Sequence, residues 1–183
     1  LNISRIEMGT FTVSVKNVDI RELLDETVKE LTSRFARNIE LEKDYGPDLG
    51  SVVMDPNILQ IVIENLLSNA FKYSPPADTR IWITAKRDGN GLLLSVRDNG
   101  IGILPKDRDA VFTRLFRADN AVAMDPDGTG LGLYMVKKIV VDGLGGEVGF
   151  DSPTEKGGTG TVFRVRFPGS GIHGKAGTTT LIR

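Results

Sequence analysis

The sequence predicts an α/β two-layer sandwich, a mixed sheet of about five strands with three helices on one face. Three observations predict it. Two stretches with helical apolar spacing, residues 20–37 and 56–73, are separated by short strand-like runs. Two period-two runs flank the turn Asp88-Gly89-Asn90-Gly91, so part of the sheet is an antiparallel hairpin. A third helix over 131–142 is followed by two further strands, which return the chain to the sheet.

In chain order, Leu1, Ile3 and Ile6 read as the end of a helix stopped by Gly9, with residues 1–10 as helix end and linker. Phe11, Val13 and Val15 alternate as a strand. Asp19 then caps the first full helix, whose apolar face is Leu23, Leu24, Val28 and Leu31. Strands follow at 39–43 and 51–54, and Asp55-Pro56 opens the second helix. Ile81, Ile83 and Ala85 run out along the hairpin, and Leu92, Leu94 and Val96 run back. Residues 99–127 are irregular and rich in Asp, Gly and Pro, with a short helical stretch over 106–115; such a length of irregular chain points to function. Strands at 147–151 and 161–167 close the domain, which spans 11–168. Residues 169–183, rich in Gly and Thr, read as a flexible tail.

The 183 residues suffice for one core, and 40% hydrophobic with 26% charged residues marks a globular chain. With 23 Lys and Arg against 24 Asp and Glu there is no global basic field, so no nucleic acid is expected as a partner. Any phosphate must be held locally. The absence of cysteine excludes disulfides and thiolate metal sites, and a cytoplasmic location is expected. No apolar run approaches the ~20 residues of a membrane span, which leaves open a parent protein anchored in a membrane.

Three segments carry chemistry. Asn65 and Asn69, four residues apart, fall within roughly 40° of each other on the second helix. They share a shoulder with Ile58 and Val62, between an exposed arc of Asn57, Gln60, Glu64 and Ser68 and a buried arc of Leu59, Ile63, Leu66, Leu67 and Ala70. With Lys72 and Tyr73 beyond them, they suit a hard metal bound to phosphates; the alternative is a pair of solvated surface amides. Asp98 shares the inward face of Leu94 and Val96, where a carboxylate needs a donor such as a purine amine, and Gly100 and Gly102 let a flat base approach. The alternative is a turn aspartate that caps its own backbone. Gly128-Thr129-Gly130-Leu131-Gly132-Leu133 leads into the third helix and offers amides to phosphate oxygens, or else serves as a hinge. It fits neither the dinucleotide fingerprint nor the Walker loop.

In order, these segments resemble the ATPase domain shared by sensor histidine kinases, type II topoisomerases, MutL-type repair proteins and Hsp90 chaperones, and the histidine kinase branch fits best. Asn65 to Tyr73 resembles the N box, Asp98 to Ile103 the first glycine box, and Gly128 to Leu133 the second. Val111-Phe112-Thr113-Arg114-Leu115-Phe116-Arg117 is similar to the F box, and Gly157-Gly158-Thr159-Gly160-Thr161 to the last glycine segment. Residues 4–9 resemble the junction with a dimerisation helix.

The resemblance implies a Bergerat-type fold and ATP with Mg2+ as cofactors. Asn69 would ligate magnesium with Asn65 assisting, Lys72 and Tyr73 would lie near the phosphates, and Asp98 would meet the adenine amine. Gly100, Gly102 and Thr161 would flank the nucleotide, while Gly128, Thr129, Gly130, Leu131 and Gly132 would shape a lid over the triphosphate. Asn65, Lys72, Arg114 and Arg117 are the implied catalytic set. Thr113 stands where the F box usually has an acidic residue, so which of Arg114 and Arg117 reaches phosphate stays open, and both fit a plain surface role.

Implied partners are the dimerisation and histidine-phosphotransfer domain of the same protein and the receiver domain of a response regulator. The chain itself is expected to be monomeric, and its parent homodimeric. His173, the one histidine, sits in the tail and is not expected to act. Two other activities are compatible with the fold: ATP hydrolysis, and non-catalytic regulation. Hydrolytic relatives place a general-base glutamate four residues before the metal asparagine, and here that position is Asn65.

Overall fold

A computed structural model describes residues 12–153, 159–169 and 179–181. The expected helix end at 1–10, part of the last glycine segment, and His173 lie outside these residues.

Asp19 accepts hydrogen bonds from the Arg21 and Glu22 amides at 2.9 and 3.2 Å, and so starts helix α1 (Ile20–Phe35). The helix stops two residues short of expectation, because Ala36 turns left-handed at φ 46°. Helix α2 (Pro56–Tyr73) starts on Asp55, whose Oδ1 accepts from the Asn57 amide at 2.9 Å and whose Oδ2 accepts from the Ser14 amide at 2.7 Å. One carboxylate thus caps a helix and anchors strand β1 (Thr12–Ser14).

Five strands form the main sheet in the order β3 (Ile39–Tyr45), β5 (Thr79–Asp88), β6 (Gly91–Asp98), β8 (Val162–Phe167), β7 (Glu147–Asp151). The pairing of β3 with β5 is parallel and the rest is antiparallel, so the sheet is mixed as predicted. In the β5–β6 hairpin Asp88 faces Gly91 across a two-residue turn, and Gly89 supplies the positive φ of 58°. That register turns Ile81, Ile83, Ala85, Leu92, Leu94 and Val96 onto the core face, where all are buried. Two further pairs lie apart from this sheet: β2 (Lys16–Asp19) with β4 (Ser51–Met54), and β1 with β9 (Thr179–Leu181), a strand within the expected tail.

Helix α2 packs between α1 and α4 (Gly132–Lys137) while also covering the sheet. This central position explains one difference from expectation. Ile58 and Val62, assigned to a half-exposed shoulder, are fully buried, since a helix flanked on both sides hides more than one stripe. Each such side chain contributes about 1.5–3 kcal/mol of burial.

The irregular segment also departs from expectation. Instead of a helix over 106–115 there is a single 3-10 turn at Pro105–Asp107, followed by turns. Leu115 is left-handed at φ 61° and its amide donates to the Gly130 carbonyl at 3.1 Å, so a long-range backbone bond takes the donor a helix would use. An unexpected helix, α3 (Asp119–Met124), lies further on. It ends where Asp125 precedes Pro126, a position that disfavours helical backbone. Beyond Lys137 the third predicted helix continues as a π-turn, Lys138–Gly143. Among the described residues no helix is long and apolar enough to cross a membrane.

Candidate functional site

One cleft runs between the C-terminal half of α2, the end of β6 and the start of α4, and residues 116–130 roof it. Asn65, Ser68, Asn69, Lys72 and Tyr73 line it from α2. The Asn65 amide nitrogen donates to the Ile61 carbonyl at 2.7 Å, which leaves its oxygen pointing toward α4. A Cβ at Gly132 would lie 2.6 Å from that oxygen, so a side chain there would force the Asn65 amide to turn away. Among the described residues no hydrogen bond engages the Asn69 side chain.

At the other end lies Asp98, 6% exposed. Its Oδ1 accepts from the Gly100 amide at 2.8 Å and from the Thr161 amide at 3.1 Å. The turn-capping role weighed from sequence is therefore present, together with a cross-strand donor that spacing did not reveal. Burial still pushes this carboxyl up to about 6, against the two amides and Arg97, which favour the charged form. A buried acid with a raised pKa that lines a cleft is a candidate binding group. The surrounding loops are pinned through Ser152, whose hydroxyl accepts from the Ile103 amide at 2.7 Å and donates to the Gly160 carbonyl at 2.9 Å.

The roof is tied down at the Lys72 end of the cleft. Lys72 Nζ lies 3.0 Å from Asp125 Oδ2, and Arg117 donates to the backbone carbonyls of Asp125 and, at 2.9 Å, Pro126. Gly130, at φ 67°, packs so tightly on the Leu115 carbonyl carbon that a Cβ would lie 2.7 Å from it. Burial and the Asp125 carboxylate raise the Tyr73 phenol above its usual range.

The family described as "Histidine kinase-, DNA gyrase B-, and HSP90-like ATPase" matches residues 54–171, a span that contains every wall of this cleft. The chain belongs to this family of ATP-binding domains. Similar proteins within it are sensor kinases. "Sensor-like histidine kinase SenX3" of Mycobacterium tuberculosis is 31% identical over 92% of this chain, which covers 40% of that protein. The chain thus spans well under half the length of that relative. Among solved structures, "Mycobacterial sensor histidine kinase MprB" superposes with a TM-score of 0.69 at 31% identity, over 84% of this chain and 97% of that one. Full-length ShkA, solved in complex with AMPPNP, gives a TM-score of 0.73 at 25% identity over 90% of this chain and 33% of that one.

Within this ATPase domain, the cleft brings together Asn65, Asn69, Lys72, Tyr73, Asp98, Gly102, Arg117, Gly128, Thr129, Gly130, Gly132 and Thr161. Three sequence-derived candidates fall outside its lining: Arg114, Gly100 and Leu131. Arg114 is exposed. Gly100 packs backbone to backbone, with the neighbouring Ile101 amide donating to the Tyr73 carbonyl at 3.0 Å; a Cβ on Gly100 would lie 2.4 Å from that same carbonyl oxygen. Leu131 is the residue just before α4. Asn120, Ala121 and Asp125 line the cleft and were not foreseen, because they belong to α3 and its exit, a short element without readable periodicity.

Proposed function

We propose that this chain is the catalytic domain of a sensor histidine kinase, transferring the γ-phosphoryl group of ATP to a histidine imidazole on a dimerisation domain of the same protein. The carrying observation is the polarity of the cleft: a buried carboxyl, Asp98, at one end, and an amide and a cation, Asn69 and Lys72, at the other. Asp98 Oδ2 is then the acceptor for the adenine amine, with Oδ1 held by Gly100 and Thr161. Asn69 fits a magnesium ion, since its amide is unengaged and its oxygen is a hard ligand; Asn65 stands one turn away. A magnesium ion held by Asn69, with Asn65 assisting, would offset the charge of the phosphates. Lys72 and Arg117 bind and orient the phosphates, which matters because phosphoryl transfer depends mainly on positioning and charge stabilisation. A response-regulator receiver domain would take the phosphoryl group onward.

Hydrolysis as the main activity is disfavoured by Glu64. It lies outside the cleft lining, 3.1 Å from Arg34 on the outer surface, and Asn65 in the base position cannot abstract a proton from water.

Two tests follow. Asn69→Ala weakens binding of an ATP analogue about tenfold or more with magnesium and far less without it, measured by calorimetry; equal losses count against the metal role. Incubated with magnesium and labelled ATP, this chain acquires no acid-labile, alkali-stable phosphate until the parent's dimerisation domain is added. Transfer between the separate pieces is weak, because tethering is lost. Phosphate mapped to His173, or rapid turnover of ATP by the chain alone, would refute the assignment.

A further inference from the structure

The cations at the phosphate-facing end of the cleft are not waiting in solvent. Lys72 Nζ faces the Asp125 carboxylate at 3.0 Å, and both side chains are largely sheltered, at 36% and 21% exposure. The Oδ2 atom of Asp125 is closed off from solvent and makes no aligned hydrogen bond, so the ammonium is what offsets its charge. Arg117 binds the main-chain carbonyls of Asp125 and Pro126. A Cβ at Gly128 would lie 2.9 Å from both Asp125 Oδ2 and Arg117 Nη2, so the second glycine box closes over this arrangement. The other end of α3 is strapped by Lys106 to Asp119 at 3.1 Å. The roof is therefore tied at both ends of α3; Asn120 adds a 3.4 Å hydrogen bond to the Gly102 carbonyl within the cleft, and among the described residues the Lys72–Asp125 contact is the ion pair that joins the roof to a cation of the cleft.

We propose that Asp125 is an internal competitor for phosphate: without nucleotide its carboxylate occupies the anion-binding end of the cleft and latches the roof to Lys72, and nucleotide phosphates bind by displacing it. A carboxylate and a phosphate carry the same sign and seek the same ammonium, and the two anions repel at that distance. Displacement frees the segment after α3, so entry of phosphate and release of the roof are one event. The device selects for ligand charge. A triphosphate offsets the loss of the Lys72–Asp125 pair, whereas adenosine, held at the Asp98 end, leaves the latch in place.

The proposal rests on the nucleotide reading of the cleft, and its test separates the two. Asp125→Asn keeps the size of the side chain and removes its charge. Affinity for the magnesium complex of AMPPNP should rise about fivefold in Asp125→Asn, as expected for losing one partly sheltered ion pair. Affinity for adenosine should stay unchanged. In a Lys72→Met background the same substitution should gain nothing, since the contested cation is gone. Amide exchange over residues 116–130 without nucleotide should be faster in Asp125→Asn than in the parent, which a merely altered ligand contact would not produce. Equal or weaker AMPPNP binding by Asp125→Asn, with the parent binding normally, overturns the latch. So does an equal gain for adenosine. If the parent binds neither ligand, the nucleotide reading itself falls, and the latch with it.

Discussion

Asp98→Asn should lower affinity for ATP analogues by roughly 30- to 150-fold, the loss of a charge-assisted hydrogen bond worth about 2–3 kcal/mol, while leaving the fold intact. The side-chain oxygen of asparagine can still accept from the Gly100 and Thr161 amides, so the loop keeps both of its bonds. What changes is the other side-chain atom, which becomes a donor and would face the amine of the adenine proposed to bind there. Because burial raises this carboxyl to about 6, ionising it costs the folded state, and that cost grows as pH rises from about 4 through 6. At neutral pH the variant is relieved of it. Its stability in urea should therefore match or exceed that of the parent by up to about 3 kcal/mol. A destabilised variant would mean that Asp98 serves the loop alone.

The same titration should act on the proposed adenine contact. The ionised carboxylate is the stronger acceptor for an amine, so affinity for adenosine, which has no phosphate to titrate, should fall as pH drops through about 6. Asp98→Asn should lack that step. A parent profile flat from pH 5 to 8 would remove Asp98 from the adenine contact.

These expectations rest on features that were legible in the sequence for a local reason. The alternation of Ile81, Ile83 and Ala85 against Leu92, Leu94 and Val96 fixes which face of the hairpin is inward, and so fixes that Asp98 points to the core side. The Asp19 and Asp55 caps, with Pro56 behind the second, set two helix starts to the residue. Asn65, Asn69 and Lys72 share a helix, and the turn angle alone aligns them.

What escaped the sequence depends on contacts between distant segments. The Thr161 amide reaches Asp98 across 63 residues, and nothing near Asp98 announces it. The predicted helix at 106–115 has acceptable local propensity, yet the Leu115 amide bonds to Gly130 and the helix is lost. α3 is six residues long, too short to show a period, and its exit residue Asp125 reads as one acid among several in a turn. The π-turn after Lys137 comes from backbone bonds such as Leu144 amide to Ile139 carbonyl at 3.0 Å, which the β-branched run does not signal.

Gly160→Ala should be the most damaging of the conservative substitutions around the site, costing about 3 kcal/mol or more of stability and at least tenfold in nucleotide affinity. Gly160 has φ 91°, outside the range of L residues, and a Cβ there would lie 2.2 Å from the Asp98 carbonyl oxygen and 3.1 Å from Asn99 Cα. Both obstacles are backbone, so neither can rotate away. Relief requires β8 to move off the end of β6, which breaks the Asp98 amide bond to the Thr161 carbonyl at 2.9 Å and removes the Thr161 donor from the Asp98 carboxylate. The Ser152 hydroxyl, which holds the Gly160 carbonyl and the Ile103 amide together, is pulled apart in the same movement. Stability and adenine recognition therefore fall together. Gly89→Ala is the control: φ is also positive, at 58°, but nothing lies within 4 Å of the added Cβ, so only the backbone conformation is penalised, at about 1 kcal/mol, and nucleotide affinity is untouched. Urea unfolding of both variants, with calorimetry on each, measures the difference. If Gly160→Ala proved as mild as Gly89→Ala, the close packing of the last glycine segment on Asp98 would not be what positions the carboxylate.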